Sequence, residues 1–94
     1  MKIELSWCDR YEIALKEYLS VRDIMKLCGV GQPKALIIRK NVIDYCIMND
    51  ISINAYKVPC DIVMLITNRD LSYYYDKMLL EVESVKLRQS IARN

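Results

Sequence analysis

The chain has no histidine, only two glycines and only two prolines in 94 residues. Without His the usual general base is missing. No Gly-rich phosphate loop is present either. Few Gly and Pro mean few sharp turns, which favours helices over an all-β fold. None of the four cysteines (Cys8, Cys28, Cys46, Cys60) forms a C-x-x-C pair. A zinc site would have to gather all four thiolates from scattered positions. No apolar run approaches the roughly 20 residues that a membrane span needs. Met1-Lys2 is followed by Glu4, Asp9 and Arg10 and not by an apolar stretch, so the N-terminus does not read as a signal peptide. A large excess of one charge is also lacking: 14 Lys and Arg face 12 Asp and Glu, a net +2. Any contact with nucleic acid must therefore come from a local patch. These absences read together as a protein that is not an enzyme, holds no metal or cofactor, and keeps free, mostly buried thiols in the cytoplasm.

What is present is the balance of a folded domain, 53% hydrophobic and 28% charged. Tyr11, Leu15 and Tyr18 recur at helical spacing and predict an amphipathic helix over Trp7–Tyr18, anchored by Trp7. Ser20 with Asp23 is a variant capping box that starts a second helix, with Val21, Ile24, Met25 and Cys28 inward. Gly29 is placed to end it in the left-handed conformation. Pro33 suits the first turn of a third helix that runs to about Tyr45–Met48, and Val30 and Ala35 sit as a hydrophobic staple across its start. On this helix Ala35, Ile38, Val42 and Cys46 share one face, and Pro33, Ile37, Lys40 and Asp44 the opposite one.

After the turn signal Asn49-Asp50, Ile51–Ile53 and Tyr56–Val58 predict two short strands around Asn54-Ala55. Pro59 ends the second strand and opens a short helix over Asp61–Ile66. Thr67 with Asp70 is a second capping signature, for a long helix from about Asn68 to Ala92. Along it Leu71, Tyr75, Met78, Val82 and Val85 recur at steps of four and three, a heptad seam that predicts dimerisation or, as the alternative, a long helix folded back over its own domain's core. Tyr74, Leu79 and Leu80 add apolar surface beside it.

The order helix, glycine turn, helix, wing and short helix carries a resemblance. "LSVRDIMKLCGVGQPKALIIRK" resembles the helix-turn-helix of small excisionase-like and MerR-like winged-helix proteins of bacteria and their mobile elements. "YKVPCDIV" is similar to the stretch that follows their wing. The resemblance covers roughly residues 19–66. It implies that the third helix enters the major groove and the hairpin touches the flanking backbone. Gln32 and Lys34 then lie where side chains reach base edges or phosphates, with Lys40 and Asn41 one or two turns further on. Arg22 and Lys26 are placed to touch phosphates, Arg39 to reach round to the backbone, and Lys57 is the basic residue of the wing. Leu36 and Ile37 face outward, to meet thymine methyls or to pack against another protein.

The expected fold is thus mainly α: a winged helix-turn-helix with a small β-hairpin over residues 1–66, and a long C-terminal dimerisation helix over 67–94. The expected function is binding of double-stranded DNA as a dimer, in a small transcriptional regulator or an excisionase-type factor of a phage or mobile element. The alternative is an adaptor or assembly protein without DNA contact, with the corner and the C-terminal helix as protein interfaces.

Overall fold

The computed structural model describes residues 6–53 and 56–92, with side chains through Leu87. Among these residues the chain is mainly helical, with one small antiparallel sheet. The elements in order are α1 (Trp7–Ala14), β1 (Tyr18–Leu19), α2 (Val21–Cys28), α3 (Gln32–Met48), β2 (Val58–Pro59), α4 (Cys60–Thr67) and α5 (Leu71–Ala92).

Helix α1 is shorter than the spacing of Tyr11, Leu15 and Tyr18 predicts. It ends at Ala14, because Tyr18 and Leu19 are drawn into the sheet instead. Leu19 pairs with Val58 and Tyr18 with Pro59, and the Glu17 carbonyl accepts the Cys60 N–H at 2.9 Å. Burial decides this contest. Leu19 and Val58 are both fully buried, whereas Leu15, inside the predicted helical stretch, is exposed. Burial of a Leu side chain is worth about 1.5–3 kcal/mol, more than one turn of helix propensity supplies.

The sheet also corrects the predicted hairpin. Residues 51–53 form no strand, and Tyr56 and Lys57 lie outside the ladder. β2 takes β1 as its partner, 40 residues earlier in the chain, and the predicted turn at Asn54-Ala55 lies outside the described residues. Ile51 instead closes the wide turn after α3, where its N–H donates to the Cys46 carbonyl at 2.8 Å.

The capping box of α2 forms as the sequence predicts. The Ser20 hydroxyl accepts the Asp23 N–H at 3.2 Å, and the Asp23 carboxylate accepts the Ser20 N–H at 3.1 Å. Lys16 adds an ion pair to the same carboxylate at 3.2 Å. At the start of α5 the capping residue is Asp70, whose carboxylate accepts the Tyr73 N–H at 2.8 Å. Thr67 does not cap: its hydroxyl donates back to the Val63 carbonyl, and Asn68 turns the chain in the left-handed region.

The core lies between α2, α3 and α4 and is built from Ile24, Leu27, Ala35, Val42, Cys46 and Val63, with Leu19 and Val58 at its edge. The predicted inner face of α3 is confirmed at Ala35, Val42 and Cys46, with Ile38 half-buried. Helix α5 packs against α1. Its Tyr74, which the heptad reading leaves on the surface beside the seam, is 0% exposed and is the largest fully buried side chain. The α5 carboxylate of Glu81 accepts the Trp7 N–H at 2.8 Å and the Cys8 N–H at 3.5 Å, and so caps α1 from the far end of the chain.

Burial alone would raise the Asp23 carboxyl, but the Ser20 N–H, the Lys16 ammonium and the Ser20 hydroxyl outweigh it and hold it below its ordinary value. A depressed carboxyl contributes stability above its unfolded-state pKa, and that contribution is lost as the pH falls through the folded-state value. The thermal midpoint of the wild type is therefore expected to fall more steeply than that of Asp23→Asn between about pH 5 and pH 2. Parallel curves would remove Asp23 from the acid response. Ser20→Ala, measured at neutral pH, is expected to cost about 1 kcal/mol.

Candidate nucleic-acid interface

Helices α2 and α3 are joined by the three residues Gly29, Val30 and Gly31. Gly29 takes φ +65°, ψ +41°, and its N–H donates to the Met25 carbonyl. This left-handed residue reverses the chain without strain only because it has no Cβ. Val30, half-buried, then packs inward ahead of buried Ala35, which sets the angle at which α3 leaves the corner. Gly31 is the N-cap of α3 and offers no side-chain acceptor, and Pro33 lacks an N–H. The first turn of α3 thus presents the Gln32 and Lys34 N–H groups and the positive end of a 17-residue helix dipole without a side-chain cap.

Of the sequence-predicted residues, Gln32, Lys34, Ile37, Lys40 and Asn41 are all exposed on the outer face of α3. Arg22 and Lys26 are exposed one turn apart on α2. Lys57, also exposed, precedes Val58, and the Leu19–Val58 register carries it towards Ser20 at the start of α2. Arg22 and Lys57 therefore share one end of the corner, while Gln32 and Lys34 occupy the other.

The electrostatics of this surface differ from those of the whole chain. From Ile24 to Ile43 there is no Asp or Glu, while Lys26, Lys34, Arg39 and Lys40 fall within the stretch. The one acid beside Arg22, Asp23, is held in the capping box and the Lys16 ion pair. Beyond Ile43 the character of α3 changes: Asp44, Ile47 and Met48 are exposed, and Asp50 follows the helix. Only the first ten residues of α3 form a cationic and polar surface. Within it Leu36 is 45% and Ile37 60% exposed.

The seam residues of α5 divide between two environments. Met78 and Val82 are half-buried on the side of α1, and the Tyr75 ring lies 5.6 Å from that of Tyr11. Leu71 and Val85 are exposed, Val85 to 46%, as are Leu80 and Leu87.

Sequence reasoning missed the groups that α1 and α5 bring to this corner. Arg10 lies over the Trp7 ring at 4.6 Å and reaches the turn itself, its guanidinium 3.2 Å from where a Cβ on Gly29 would stand. The residues are too far apart in the chain for any periodicity to join them. The thiols here are unsuited to nucleophilic work at neutral pH, since burial raises Cys28 against the opposing pull of Arg69 and Arg10, and pushes Cys60 up to about 11. Among the described residues no three His, Cys, Asp or Glu side chains are placed to hold a metal ion, and no helix is long and apolar enough to cross a membrane.

The turn makes a prediction. Gly29→Ala forces a Cβ into the left-handed region and against the Arg10 guanidinium, which has a flexible stem and can yield. The backbone cost remains, so a loss of about 1–2 kcal/mol is expected, or a fall in thermal midpoint of several degrees. Gly29→Asn, which tolerates this conformation, is expected to lose less. Equal midpoints for wild type and Gly29→Ala would show that the turn can reorganise. Comparison of the chain with protein-family models, curated proteins and solved structures finds no match.

Proposed function

We propose that this protein binds double-stranded DNA through the α2–α3 corner. The observation that carries this reading is the acid-free surface of residues 24–43, with exposed Lys26, Lys34 and Lys40 and an α3 N-terminus that has no side-chain cap. Phosphate contacts supply much of the affinity of DNA-binding proteins, and such a surface favours them. In this reading the first ten residues of α3 lie in the major groove. Gln32 reads base edges, with adenine as its bidentate partner, and Asn41 does the same two turns on. Lys34 and Lys40 take phosphates or guanine, and Ile37 meets a thymine methyl. Arg22 and Lys57 hold phosphates at the opposite end of the corner, with the segment before β2 in the position of a wing.

The partner set is completed by a second copy of the chain. Two copies paired along α5, through Leu71 and Val85 with Tyr75, Met78 and Val82 at the edge of the seam, would place two α3 helices on successive half-sites. The resemblance of residues 19–66 to excisionase-like and MerR-like proteins implies a role as a small transcriptional regulator or excisionase-type factor of a mobile element.

One observation favours a second reading, an adaptor without DNA contact: Leu36 and Ile37 are adjacent and well exposed on the face that would meet the groove. The two readings separate in a salt titration of binding to random duplex fragments, followed by anisotropy. DNA binding predicts an affinity that falls steeply with salt, and Lys34→Ala with Lys40→Ala should make the slope shallower by about 2, roughly one per phosphate contact. An unchanged slope removes both lysines from the interface, and no binding at low salt leaves the adaptor reading. The pairing of α5 is checked by light scattering. A mass of two chains is expected for the wild type and of one for Leu71→Glu with Val85→Glu, while a single-chain mass for the wild type at tens of micromolar would exclude the dimer.

A further inference from the structure

The packing of α5 on α1 builds a second group of cations, none of which lies on the two helices of the corner. Trp7, Tyr73 and Tyr74 form a continuous aromatic cluster, with ring centroids 6.0, 6.5 and 5.2 Å apart. Three cations rest on it. Arg10 is 4.6 Å from the Trp7 centroid, Arg69 is 5.1 Å from that of Tyr73, and Lys77 is within reach of both rings, 5.8 Å from Trp7 and 5.7 Å from Tyr73. Among the described residues none of the three is in an ion pair such as Lys16–Asp23. Of the nearby acids, Asp61 and Asp70 line one hollow with Arg69 and Tyr73, and two accept backbone N–H groups. Glu81 accepts the Trp7 and Cys8 N–H groups, and Asp70 accepts that of Tyr73.

Stabilising the fold accounts for part of this arrangement. Arg10 meets α2 at its C-terminal end, where the helix dipole places about half a negative charge. Three unit charges exceed half a charge, and cation–π contact does not neutralise the remainder. One buried polar atom of the cluster also lacks a hydrogen-bond partner, the Nε of Arg10, while Arg69 lies against the hydroxyl of the fully buried Tyr74. Guanidinium and ammonium groups that are held by aromatic faces, half-exposed and in no ion pair, are arranged to take an anion with several acceptor oxygens.

The position of the cluster says which anion. Arg10 touches Gly29, two residues before the N-cap of α3, so the cluster adjoins the helix end that lacks a side-chain cap. We propose that Arg10, Arg69 and Lys77 form a phosphate-binding site beside the Gly29 turn, and that it takes a backbone phosphate flanking the groove that α3 enters. The assignment of that phosphate to a duplex rests on the DNA-binding reading, whereas the phosphate chemistry of the site does not. The site extends the footprint of the protein beyond α2 and α3, with α1 and α5 as its clamp.

Trp7 is the single tryptophan of the chain and lies under two of the three cations, so its emission reports the site. The experiment titrates the full chain with inorganic phosphate against chloride at matched ionic strength, and separately with a short random-sequence duplex. Inorganic phosphate is expected to change the Trp7 emission, and Arg69→Gln with Lys77→Gln to weaken that response at least tenfold. The same pair should make the salt slope of duplex binding shallower by about 2. Arg69→Lys with Lys77→Arg keeps both charges and is expected to retain most of the response, which separates lost charge from a damaged fold. Lys34→Ala with Lys40→Ala should leave the phosphate response of Trp7 intact. A Trp7 emission indifferent to phosphate overturns the site. A wild-type salt slope in the Arg69 and Lys77 pair overturns the assignment of the bound phosphate to a duplex, even where the duplex binds through Lys34 and Lys40. A phosphate response without duplex binding supports the site and transfers it to a free or non-duplex phosphate, and in that case the DNA-binding reading fails alone.

Discussion

The pairing of Leu19 with Val58 is the constraint on which the rest of the fold depends. Two residues on each strand make a ladder too short to persist by itself. It persists because both side chains are fully buried, so that breaking the pair exposes core. The pair fixes where two helices begin. Ser20, the next residue after Leu19, caps α2, and Pro59, after Val58, precedes the first residue of α4. With both starts held, α3 is clamped between α2 and α4 through Ala35, Val42 and Cys46, and its opposite face is left to solvent. The outward presentation of Gln32, Lys34 and Lys40 is thus the far side of a burial pattern and requires no separate cause.

This dependence also explains what is legible in the sequence and what is not. The α2–turn–α3 corner is a local affair. Ser20 and Asp23 cap at a separation of three, Gly29 turns, and Ala35, Val42 and Cys46 repeat at helical spacing, so each signal lies within a turn or two of its effect. The long-range choices are different. Nothing near Tyr18 indicates that Val58 will compete for it, so periodicity alone carries α1 across β1, and local alternation gives β2 the wrong partner. Tyr74 is misplaced for a related reason. A heptad pattern identifies which residues of α5 share a stripe but not which stripe meets α1, and the stripe of Tyr74 and Glu81 is the one used. Of the candidate interface, Gln32 to Asn41 can be read from the wheel of a single helix, while Arg10, Arg69 and Lys77 converge only once α1 and α5 have docked.

The docking itself is a polar event as much as an apolar one. The N-terminus of α1 has one local acceptor, the Ser6 hydroxyl, which takes the Asp9 N–H. Glu81 supplies acceptors for Trp7 and Cys8 from a helix that begins more than sixty residues later. An acid that satisfies N–H groups at the positive end of a helix is held by both hydrogen bonding and the dipole. Glu81 therefore fixes the register of α5 along α1, and with it the positions of Tyr73, Tyr74 and Lys77 around Trp7. Beyond Glu81 the helix continues to Ala92, with Val85 and Leu87 exposed.

The same logic resolves how a chain with a net charge of only +2 offers a basic face. Four of its twelve acids serve helix starts. Asp23 caps α2, Asp61 lies in the first turn of α4 and accepts the Ile62 N–H, Asp70 caps α5, and Glu81 caps α1 from a distance. At each of these places the positive end of a helix offsets the carboxylate, so its field is cancelled locally. The start of α3 is the exception. Its cap is a glycine, its first turn holds no acid, and the next acid, Asp44, lies beyond the first ten residues. The dipole that is compensated at the other helix starts is left open here, beside Lys34 on one side and the Arg10 of α1 on the other. The sum of charges over the chain is then a poor guide to its surface, because several carboxylates stand where a helix start offsets them, while the first turn of α3 holds none.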